Sequence, residues 1–324
     1  MTPTRRRALL ALAALPATLP TTGRAQTGAR PPGQLIIPFA AGASADGVGR
    51  LIGAGLGPRI ERNLVADNRP GAGGTLGLTL LARAPADGSV LGIGATGAVV
   101  INPHTPDATP FDPLAQLAPL ARVAEIPLVL VAGAASGLRN LPDVIARAKA
   151  EPNGLSFGTT GTNSAQHLAI VTLARTTRSN LVHIPYRGSA PAVTDVLAGN
   201  LPLACVDLTS AQAHIQAGTL AAIGLTGGRR AQLAPDIPTI AEGGVPGFSV
   251  TAWMGLFGPA ALPEAMRQRI SRAVGEIVAE PDAQRGLLAL ATEPDFLGHA
   301  EFARFLSAES ARWRDLLGTL GRTE

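Results

Sequence analysis

Hydrophobic and polar positions change rhythm at short intervals along this chain, and the changes predict strands that alternate with helices. Short apolar runs predict strands, and segments with apolar residues every three or four positions predict amphipathic helices. The predicted strands are residues 35–38, 63–67, 90–93, 128–132, 155–157, 181–184, 203–206, 220–225 and 253–257. The predicted helices between them are residues 44–60, 75–84, 141–150, 164–175, 189–198 and 210–217. This alternation predicts an α/β fold of mostly parallel sheets with helices on both faces.

Two interruptions divide the pattern into two lobes. Residues 102–119 contain five prolines and predict a loop that crosses from one lobe to the other. A glycine- and arginine-rich turn at residues 226–230 predicts the return crossing, and apolar residues at helical spacing predict packing helices in the tail. The predicted first lobe is therefore residues 31–127 with 226–324, and the second is residues 128–225. Two crossings make a natural hinge.

Two strand–loop–helix turns carry the candidate chemistry. Residues 35–46 (LIIPFAAGASAD) and 155–167 (LSFGTTGTNSAQH) each place a small-residue loop between a strand and a helix. Such a loop directs several backbone N–H groups to one point at the positive end of a helix dipole, which favours a carboxylate or another anion. We call residues 38–46 the first elbow and residues 159–167 the second elbow. Because they fall in different predicted lobes, we expect both elbows to face one ligand.

The first 25 residues predict an export signal. Arg5, Arg6 and Arg7 precede an apolar stretch at residues 8–19, and small residues before Gln26 form a cleavage site. The apolar stretch is too short to span a membrane. The arginines also resemble a twin-arginine signal, so the sequence leaves two export routes open. We therefore predict a periplasmic protein.

Charge and aromatic content exclude several kinds of partner. Residues 1–25 hold four arginines and no acid, which reduces 27 basic residues to 23, equal to the 23 acidic ones. A mature chain without net positive charge does not attract nucleic acid or anionic lipid, and 3% aromatic residues do not form a base-stacking platform. The single cysteine, Cys205, lies in an apolar strand, so we expect a buried thiol rather than a nucleophile.

Motifs for cofactors, metals and catalysis are incomplete. Residues 92–97 (GIGATG) match a dinucleotide-binding pattern, but the required helix and later acid are missing, so we interpret the segment as a cleft loop. The spacing brings no base to a nucleophile in a conceivable triad of Ser164, His167, His183 and Asp195. The histidines are scattered singly. We therefore predict no cofactor, no metal ion and no catalytic residue.

Two acidic residues each have two interpretations. Asp46, in the first turn of a predicted helix, satisfies backbone N–H groups there, holds the loop that holds a ligand, or does both. Asp207 ends an apolar strand, where side chains of α/β folds face a cleft. Its carboxylate either meets an amino group of a ligand or accepts hydrogen bonds from the backbone N–H groups of Thr209 and Ser210.

Several motifs occur in an order that resembles one known family. They are residues 38–46 (PFAAGASAD), 68–74 (NRPGAGG), 101–103 (INP), 161–168 (GTNSAQHL), 183–192 (HIPYRGSAPA), 235–242 (PDIPTIAE) and 253–259 (WMGLFGP). In combination they resemble the periplasmic receptors of tripartite tricarboxylate transporters, also called the Bug family. The resemblance covers nearly all of the mature chain.

The resemblance implies a two-lobe type II periplasmic binding protein fold, the Venus flytrap. It implies that a small carboxylate (a dicarboxylate, tricarboxylate, acidic amino acid or aromatic acid) is held mainly by backbone N–H groups and ordered waters. The ligand-binding residues that it implies lie in the two elbows, in one further loop and at one strand end: Phe39, Gly42, Ala43, Ser44, Asp46, Thr96, Gly97, Thr159, Gly161, Thr162, Asn163, Ser164 and Asp207.

The sequence departs from the family pattern in both elbows. The first usually has two adjacent glycines, where this chain has Gly42 and Ala43. The second usually reads Gly-Asn-Gly, where this chain has residues 161–163 (GTN), and a turn that usually reads Pro-Asp-Gly-Tyr is residues 86–89 (ADGS). The changes in the elbows narrow the loops, which leaves the identity of the ligand open.

Together these features predict an exported receptor that closes on a small carboxylate. It would deliver the ligand to the membrane subunits of a secondary transporter, and we expect a monomer. An alternative from another class is a ligand-dependent signalling partner of a sensor protein, which gene neighbourhood would distinguish from a transport receptor. A further alternative is an exported α/β hydrolase that uses Ser164 or Ser44.

Overall fold

The structure, a computed structural model, describes residues 31–105 and 111–320. The predicted export signal lies outside these residues. The strands within them are β1 (Gly33–Ile37), β2 (Leu64–Asn68), β3 (Val90–Ala95), β4 (Leu117–Ile126), β5 (Leu128–Gly133), β6 (Leu155–Thr159), β7 (Leu181–Pro185), β8 (Leu203–Asp207), β9 (Leu220–Leu225), β10 (Ala252–Pro259) and β11 (Glu293–Gly298).

The α-helices connect these strands or pack on them. They are α1 (Ser44–Arg59), α2 (Thr75–Ala82), α3 (Pro113–Gln116), α4 (Leu141–Ala150), α5 (Ala165–Thr177), α6 (Ser189–Leu197), α7 (Leu208–Gln216), α8 (Glu264–Ala279), α9 (Pro281–Ala289) and α10 (His299–Leu320). In the two described ranges, every helix is too short or too polar to cross a lipid bilayer.

The strands form two sheets, each flanked by helices, as the predicted α/β class requires. The first sheet has the order β11-β4-β10-β3-β1-β2, and the second has the order β7-β6-β8-β5-β9. The first draws on residues before 127 and after 251, and the second on residues 128–225. The predicted lobe boundaries follow this division of the strands, and they stay a prediction.

Both sheets are mixed, but most strands of each run in one direction, as the prediction of mostly parallel sheets expects: β1 to β4 in the first sheet and β6 to β9 in the second. β1 pairs in parallel with β2 and β3, and β6 pairs in parallel with β7 and β8. β10 is antiparallel to β3 and β4, β11 is antiparallel to β4, and β5 is antiparallel to β8 and β9. The crossings explain why β5 and β10 are antiparallel to their neighbours. The chain enters each sheet at the edge where the neighbouring strands end, so β5 and β10 run in the opposite direction.

The predicted crossing loop at residues 102–119, of which 106–110 lie outside the described residues, is wrong in its position. Residues 117–126 form β4 of the first sheet, and the chain passes to the second sheet at Pro127, between β4 and β5. Proline in a strand usually indicates an edge or an irregularity. Pro119 meets both conditions, because β11 pairs with β4 only from Ala121 onward and the β10 pairing shifts register opposite Pro119.

Strand β1 divides its side chains between two cores. Leu35 and Ile37 of β1 pack with Val48 and Ile52 of α1, together with apolar residues of α8. Ile36, on the other face, packs with residues of α2 and α10. A strand covered on both faces is apolar at successive positions, which is why the short apolar runs predicted these strands correctly.

The crossing segments are tied to the first sheet by ion pairs. Arg229, which follows β9, approaches Glu125 of β4 at 3.2 Å and Glu293 of β11 at 3.0 Å. Burial raises the pKa of Glu125, and the two arginines Arg229 and Arg122 oppose that rise. Arg229 is half-exposed, whereas both carboxylates are nearly covered, so this cluster fixes the return crossing to the end of β4.

Candidate functional site

Both elbows lie on the crossing side of their sheets. β1, β2, β3 and β4 run in one direction, and β4 ends where the chain crosses. β6, β7, β8 and β9 likewise run together, and β9 ends at the return crossing. Leu208, just after β8, donates its N–H to Pro127 O at 2.9 Å, so this edge of the second sheet touches the crossing. The first elbow follows β1 and the second follows β6, so both open at these edges.

The first elbow is held by the carboxylate of Asp46. Its Oδ2 accepts the Gly42 N–H at 3.0 Å, and its Oδ1 accepts Arg50 Nε at 2.9 Å and Asn68 Nδ2 at 3.0 Å. Asn68 also donates to Phe39 O at 3.0 Å, which ties the end of β2 to the loop. The hydrogen bonds from Gly42 and Asn68 lower the pKa of Asp46 more than burial raises it. Asp46 therefore holds the loop through Gly42, while the part of this loop in binding a ligand stays a prediction.

Two helical amides of the first elbow remain open. Ala43 N–H is taken by Ala40 O, and the N–H groups of Asp46 and Gly47 by Ala43 O. Ser44 and Ala45 N–H have no hydrogen-bond acceptor among residues 31–105 and 111–320. This is what the first positions of a helix leave unpaired unless a ligand or water completes them.

The remaining implied residues of the first sheet differ in their accessibility. The hydroxyl of Thr96 is buried and bonded to β10, because it accepts Trp253 N–H at 2.7 Å and donates to Trp253 O. The aromatic ring of Phe39 lies beside Gly74. Gly97 begins one turn of π-helix (Gly97–Ile101), where a Cβ would meet open space. The interpretation of this segment as a loop is wrong, because β3 leads into that helical turn.

The second elbow is held by neutral groups. Ser164 is the N-cap of α5, its hydroxyl accepts His167 N–H at 3.2 Å, and it donates to Gly161 O at 2.8 Å. Asn163 has a left-handed backbone (φ 58°), and its N–H donates to His167 Nδ1 at 3.1 Å. Thr159 Oγ1 accepts Gly161 N–H at 3.3 Å. Residues 159–167 contain no lysine or arginine, so the loop itself offers an anion only neutral donors.

The second elbow also leaves amides open. Within the described part of the chain, the N–H groups of Thr160, Thr162, Ala165 and Gln166 have no acceptor. Thr162 is exposed and Thr160 half-buried. Among the described residues, the open amides of each elbow therefore comprise the first two helical positions and some loop positions as well. The loop positions are Phe39, Ala40 and Ala41 in the first elbow and Thr160 and Thr162 in the second. An anion can bind at such a point without a fixed ion pair.

Asp207 lies at the same edge of the second sheet as the second elbow. Its Oδ1 accepts Gln166 Nε2 at 2.7 Å, and its Oδ2 accepts Ser189 Oγ at 3.3 Å. Of the two interpretations of Asp207, the one with hydrogen bonds from Thr209 and Ser210 is wrong, because Asp207 makes no side-chain capping bond to α7. Side chains of α5 and α6 reach its carboxylate instead. Burial raises the pKa of Asp207, and the bonds from Gln166 and Ser189 only partly offset it.

The histidines of this region form a stack that the sequence did not reveal. The rings of His167 and His183 lie 3.9 Å apart between centroids, and Asp195 instead accepts Tyr186 Oη at 2.6 Å. The conceivable triad is therefore not joined as drawn, because Asp195 bonds Tyr186 and Nδ1 of His167 bonds Asn163. In the described ranges, no group of three or more histidine, cysteine, aspartate or glutamate side chains could hold a metal ion. Cys205 is fully buried, and burial raises the pKa of its thiol.

Two kinds of residue were missed from the sequence. Six of them carry open amides: Ala40, Ala41, Ala45, Thr160, Ala165 and Gln166. The rule that the first helical N–H groups lack partners could have found three of these, Ala45, Ala165 and Gln166. Arg187, an exposed cation after β7, lies at the same edge and has no ion pair among the described residues. No local signal marks Arg187 as part of a site.

Comparison with known proteins agrees with this geometry. The family described as "Tripartite tricarboxylate transporter family receptor" matches residues 48–322. A UPF0065 protein in the tcbD-tcbE intergenic region of Pseudomonas sp. strain P51 is 34% identical over 315 residues, which is 96% of this chain and 94% of that protein.

Solved structures of the same kind share the fold over most of the chain. The periplasmic binding protein BugD is 27% identical, with a TM-score of 0.71 over 90% of this chain and 98% of that one. MatC from Rhodopseudomonas palustris, with bound malate, is 26% identical, with a TM-score of 0.71 over 89% and 99%. Rpa4515 of R. palustris, with adipate, is 27% identical, with a TM-score of 0.75 over 90% and 98%.

Proposed function

We propose that this chain, which belongs to the tripartite tricarboxylate transporter receptor family, captures a small carboxylate between its two elbows and delivers it to a membrane transporter. The family is one of solute receptors and not of enzymes. The observation that carries the proposal is that the open amides of both elbows lie on the crossing sides of their sheets. The two relatives with bound malate and adipate support a carboxylate as the class of ligand.

The open amides supply a gross binding free energy of the size that a receptor needs. A hydrogen bond to a charged group contributes about 1.5–3 kcal/mol, and a micromolar receptor needs about 8 kcal/mol in total. Four such bonds from Ser44, Ala45, Thr162 and Ala165 reach that value, before the costs of closing the lobes are subtracted. Binding by amide dipoles without a partner cation also allows the ligand to be released when the lobes separate.

We extend the proposal to the lobes and the compartment. Residues 31–127 with 226–324 and residues 128–225 would move as two bodies about the crossings, as in hinge closure. The chain would act in the periplasm as a monomer after removal of residues 1–25. Fractionation of cells that express the full chain tests this, and replacing Arg5 and Arg6 with lysine distinguishes the routes, because it blocks only twin-arginine export.

Thermal unfolding of the mature chain tests the class of ligand. Adipate and malate are compared with their neutral diamides, adipamide and malamide, which keep the length but lack the charge. A ligand at 100 times its Kd stabilises the folded state by about 2.7 kcal/mol, which raises the melting temperature by about 5 °C. We expect a rise with at least one small carboxylate of a wider panel. Equal rises with the diamides, or a rise with a neutral sugar alone, would contradict the proposal.

Delivery is a separate step with its own test. Uptake of the identified ligand is measured in cells that carry the transporter membrane subunits, with and without this chain. We expect uptake to require the chain. Binding without any effect on uptake, together with a neighbouring sensor gene, would favour the signalling alternative.

A further inference from the structure

Two imidazole rings lie beneath the loop of the second elbow. His167 of α5 and His183 of β7 stack at 3.9 Å between centroids, with their planes 23° apart. Phe157 of β6 packs against both, at 5.3 Å from His183 and 6.5 Å from His167. His167 is buried and His183 half-buried, so the stack is part of the interior that supports the loop.

Each ring holds one end of that loop. His183 Nε2 lies 2.6 Å from Thr159 Oγ1, and the same hydroxyl accepts Gly161 N–H at 3.3 Å. His167 Nδ1 accepts Asn163 N–H at 3.1 Å. Asn163 sits at φ 58°, a conformation that costs free energy for a residue with a side chain unless its surroundings hold it. The bond from His167 supplies that restraint.

The hydrogen bond to Asn163 requires a neutral His167. Because Nδ1 accepts an N–H, the single ring proton lies on Nε2, and a second proton on Nδ1 would point at the Asn163 N–H. The neighbouring ring opposes a positive charge as well. Burial and then His183 lower the pKa of His167 to about 4, and burial lowers the pKa of His183. Phe157 and Thr159, which face the rings from β6, do not titrate.

We propose that His167 and His183 are a positioning pair, which we call the imidazole brace, and that it keeps residues 159–164 in the form whose amides remain open to a ligand. The inference rests on the proposed function for its consequence, the binding of a carboxylate. Its mechanical part, the restraint on Asn163 and Thr159, does not depend on any ligand. Protonating or removing the Nδ1 acceptor should release Asn163. The open N–H groups of the loop would then no longer point to one site.

Hydrogen exchange at the Asn163 amide tests the mechanical part by NMR. His167→Leu removes the acceptor, whereas His167→Asn places an amide oxygen near the position of Nδ1 without a titrating group. We expect protection of Asn163 in the natural chain, a loss of at least tenfold in His167→Leu, and recovery in His167→Asn. His214→Asn, a histidine of α7 outside the elbows, is the matched control and should leave the Asn163 rate unchanged.

The pH profile of the same amide gives a readout that a merely structural role would not move. The Asn163 chemical shift should titrate with a midpoint near pH 4 in the natural chain and in His214→Asn, and this transition should be missing in His167→Asn. Asn163 protection that survives in His167→Leu, or a pH transition that persists in His167→Asn, would overturn the brace.

Affinity for adipate, or for the best carboxylate of the thermal screen, tests the consequence. We expect Kd to rise about three- to tenfold in His167→Leu and to return most of the way in His167→Asn, as for the loss of one positioning hydrogen bond. If His167→Leu does not fold, His183→Leu and its rescue by His183→Gln make the same test at Thr159. Failure of the natural chain to bind any carboxylate would refute the proposed function, while the exchange rates would still decide the brace.

Discussion

The two elbows share one feature, a residue with positive φ just before the N-cap (Gly42 in the first, Asn163 in the second), but they are braced by opposite means. The first is held by a charged group, since Asp46 anchors the Gly42 amide and is balanced by Arg50. The second is held by a serine cap and a pair of neutral imidazoles. In both elbows the N–H of the residue with positive φ donates to the side chain four positions later, Asp46 or His167, so the hydrogen bond is common to both halves and the charge of its acceptor is not. Supports of different chemistry should therefore fail under different conditions.

The response to low pH distinguishes the support of the first elbow from that of the second most clearly. The pKa of Asp46 is lowered, so its bonds are lost only when the pH falls through that lowered value. The pKa of His167 is lowered to about 4 from 6.5, so the unfolded chain binds this proton more readily than the folded chain. The stability that His167 contributes is thus complete above about pH 6.5 and is lost as the pH falls toward 4.

The largest expected effect follows from the lowered pKa of His167. Relative to His167→Asn, which does not titrate, the natural chain should lose about 3 kcal/mol of unfolding free energy between pH 7 and pH 4. Urea unfolding at a series of pH values measures this loss. The contributions of the other titrating groups cancel when the unfolding free energies of the two proteins are subtracted. If the difference in unfolding free energy between the two proteins stayed constant from pH 7 to pH 4, the account of a neutral, buried His167 would be contradicted.

Next in size is the loss of the charged support. Asp46→Ala removes three hydrogen bonds and should cost about 2 kcal/mol of unfolding free energy, with at least a tenfold rise in the Kd of the carboxylate. Asp143→Ala is the matched control, because Asp143 accepts Arg139 N–H at 3.0 Å across the start of α4 in the same way. It should lower stability but leave ligand affinity unchanged. Equal losses of affinity in both variants would show that the elbow has no special role.

A smaller effect isolates the backbone of the first elbow. Gly42 has φ 83°, and a Cβ at this position would meet open space, so Gly42→Ala should cost about 1 kcal/mol through conformation alone. Gly97→Ala, with equally open space but without positive φ, should change unfolding free energy by less than about 0.5 kcal/mol. Denaturant unfolding of both variants checks the contrast. An equal loss of unfolding free energy in the two variants would show that the positive φ of Gly42 does not constrain this position.

The smallest effect concerns the exposed cations beside each elbow. Arg187 is unpaired among the described residues, whereas Arg50 is paired with Asp46. Arg187→Gln should therefore raise the Kd of the carboxylate about twofold at low salt and not at about 0.5 M salt, because exposed charges are screened. Titration calorimetry at two ionic strengths measures this. A loss that persists in high salt would instead indicate direct contact.

The regular parts of the fold were predictable because they are local. The nine predicted strands and the predicted helices all occur, since apolar periodicity records which faces are buried. β4 and β11 were missed for physical reasons. β4 begins among prolines, and β11 (EPDFLG) has no apolar run and exists because it pairs with β4.

The candidate site was predictable only in outline. The elbows follow from small residues between a strand and a helix, but their partners come from distant segments. Asp207 is bonded by Gln166, 41 positions away, and the His167–His183 stack joins a helix to a neighbouring strand. Such pairs depend on the packing of α5 and α6 against the second sheet, which leaves no trace in spacing along the chain.

The central claim is that both elbows bind one carboxylate at the same time. An NMR titration of the mature chain with adipate, or with the best carboxylate of the screen, tests it through the backbone amides of Ser44 and Ala45 in the first elbow and of Thr162 and Ala165 in the second. The account predicts that all four amide signals shift along one binding curve with a single Kd. Shifts confined to one elbow, or to residues away from both, would contradict it.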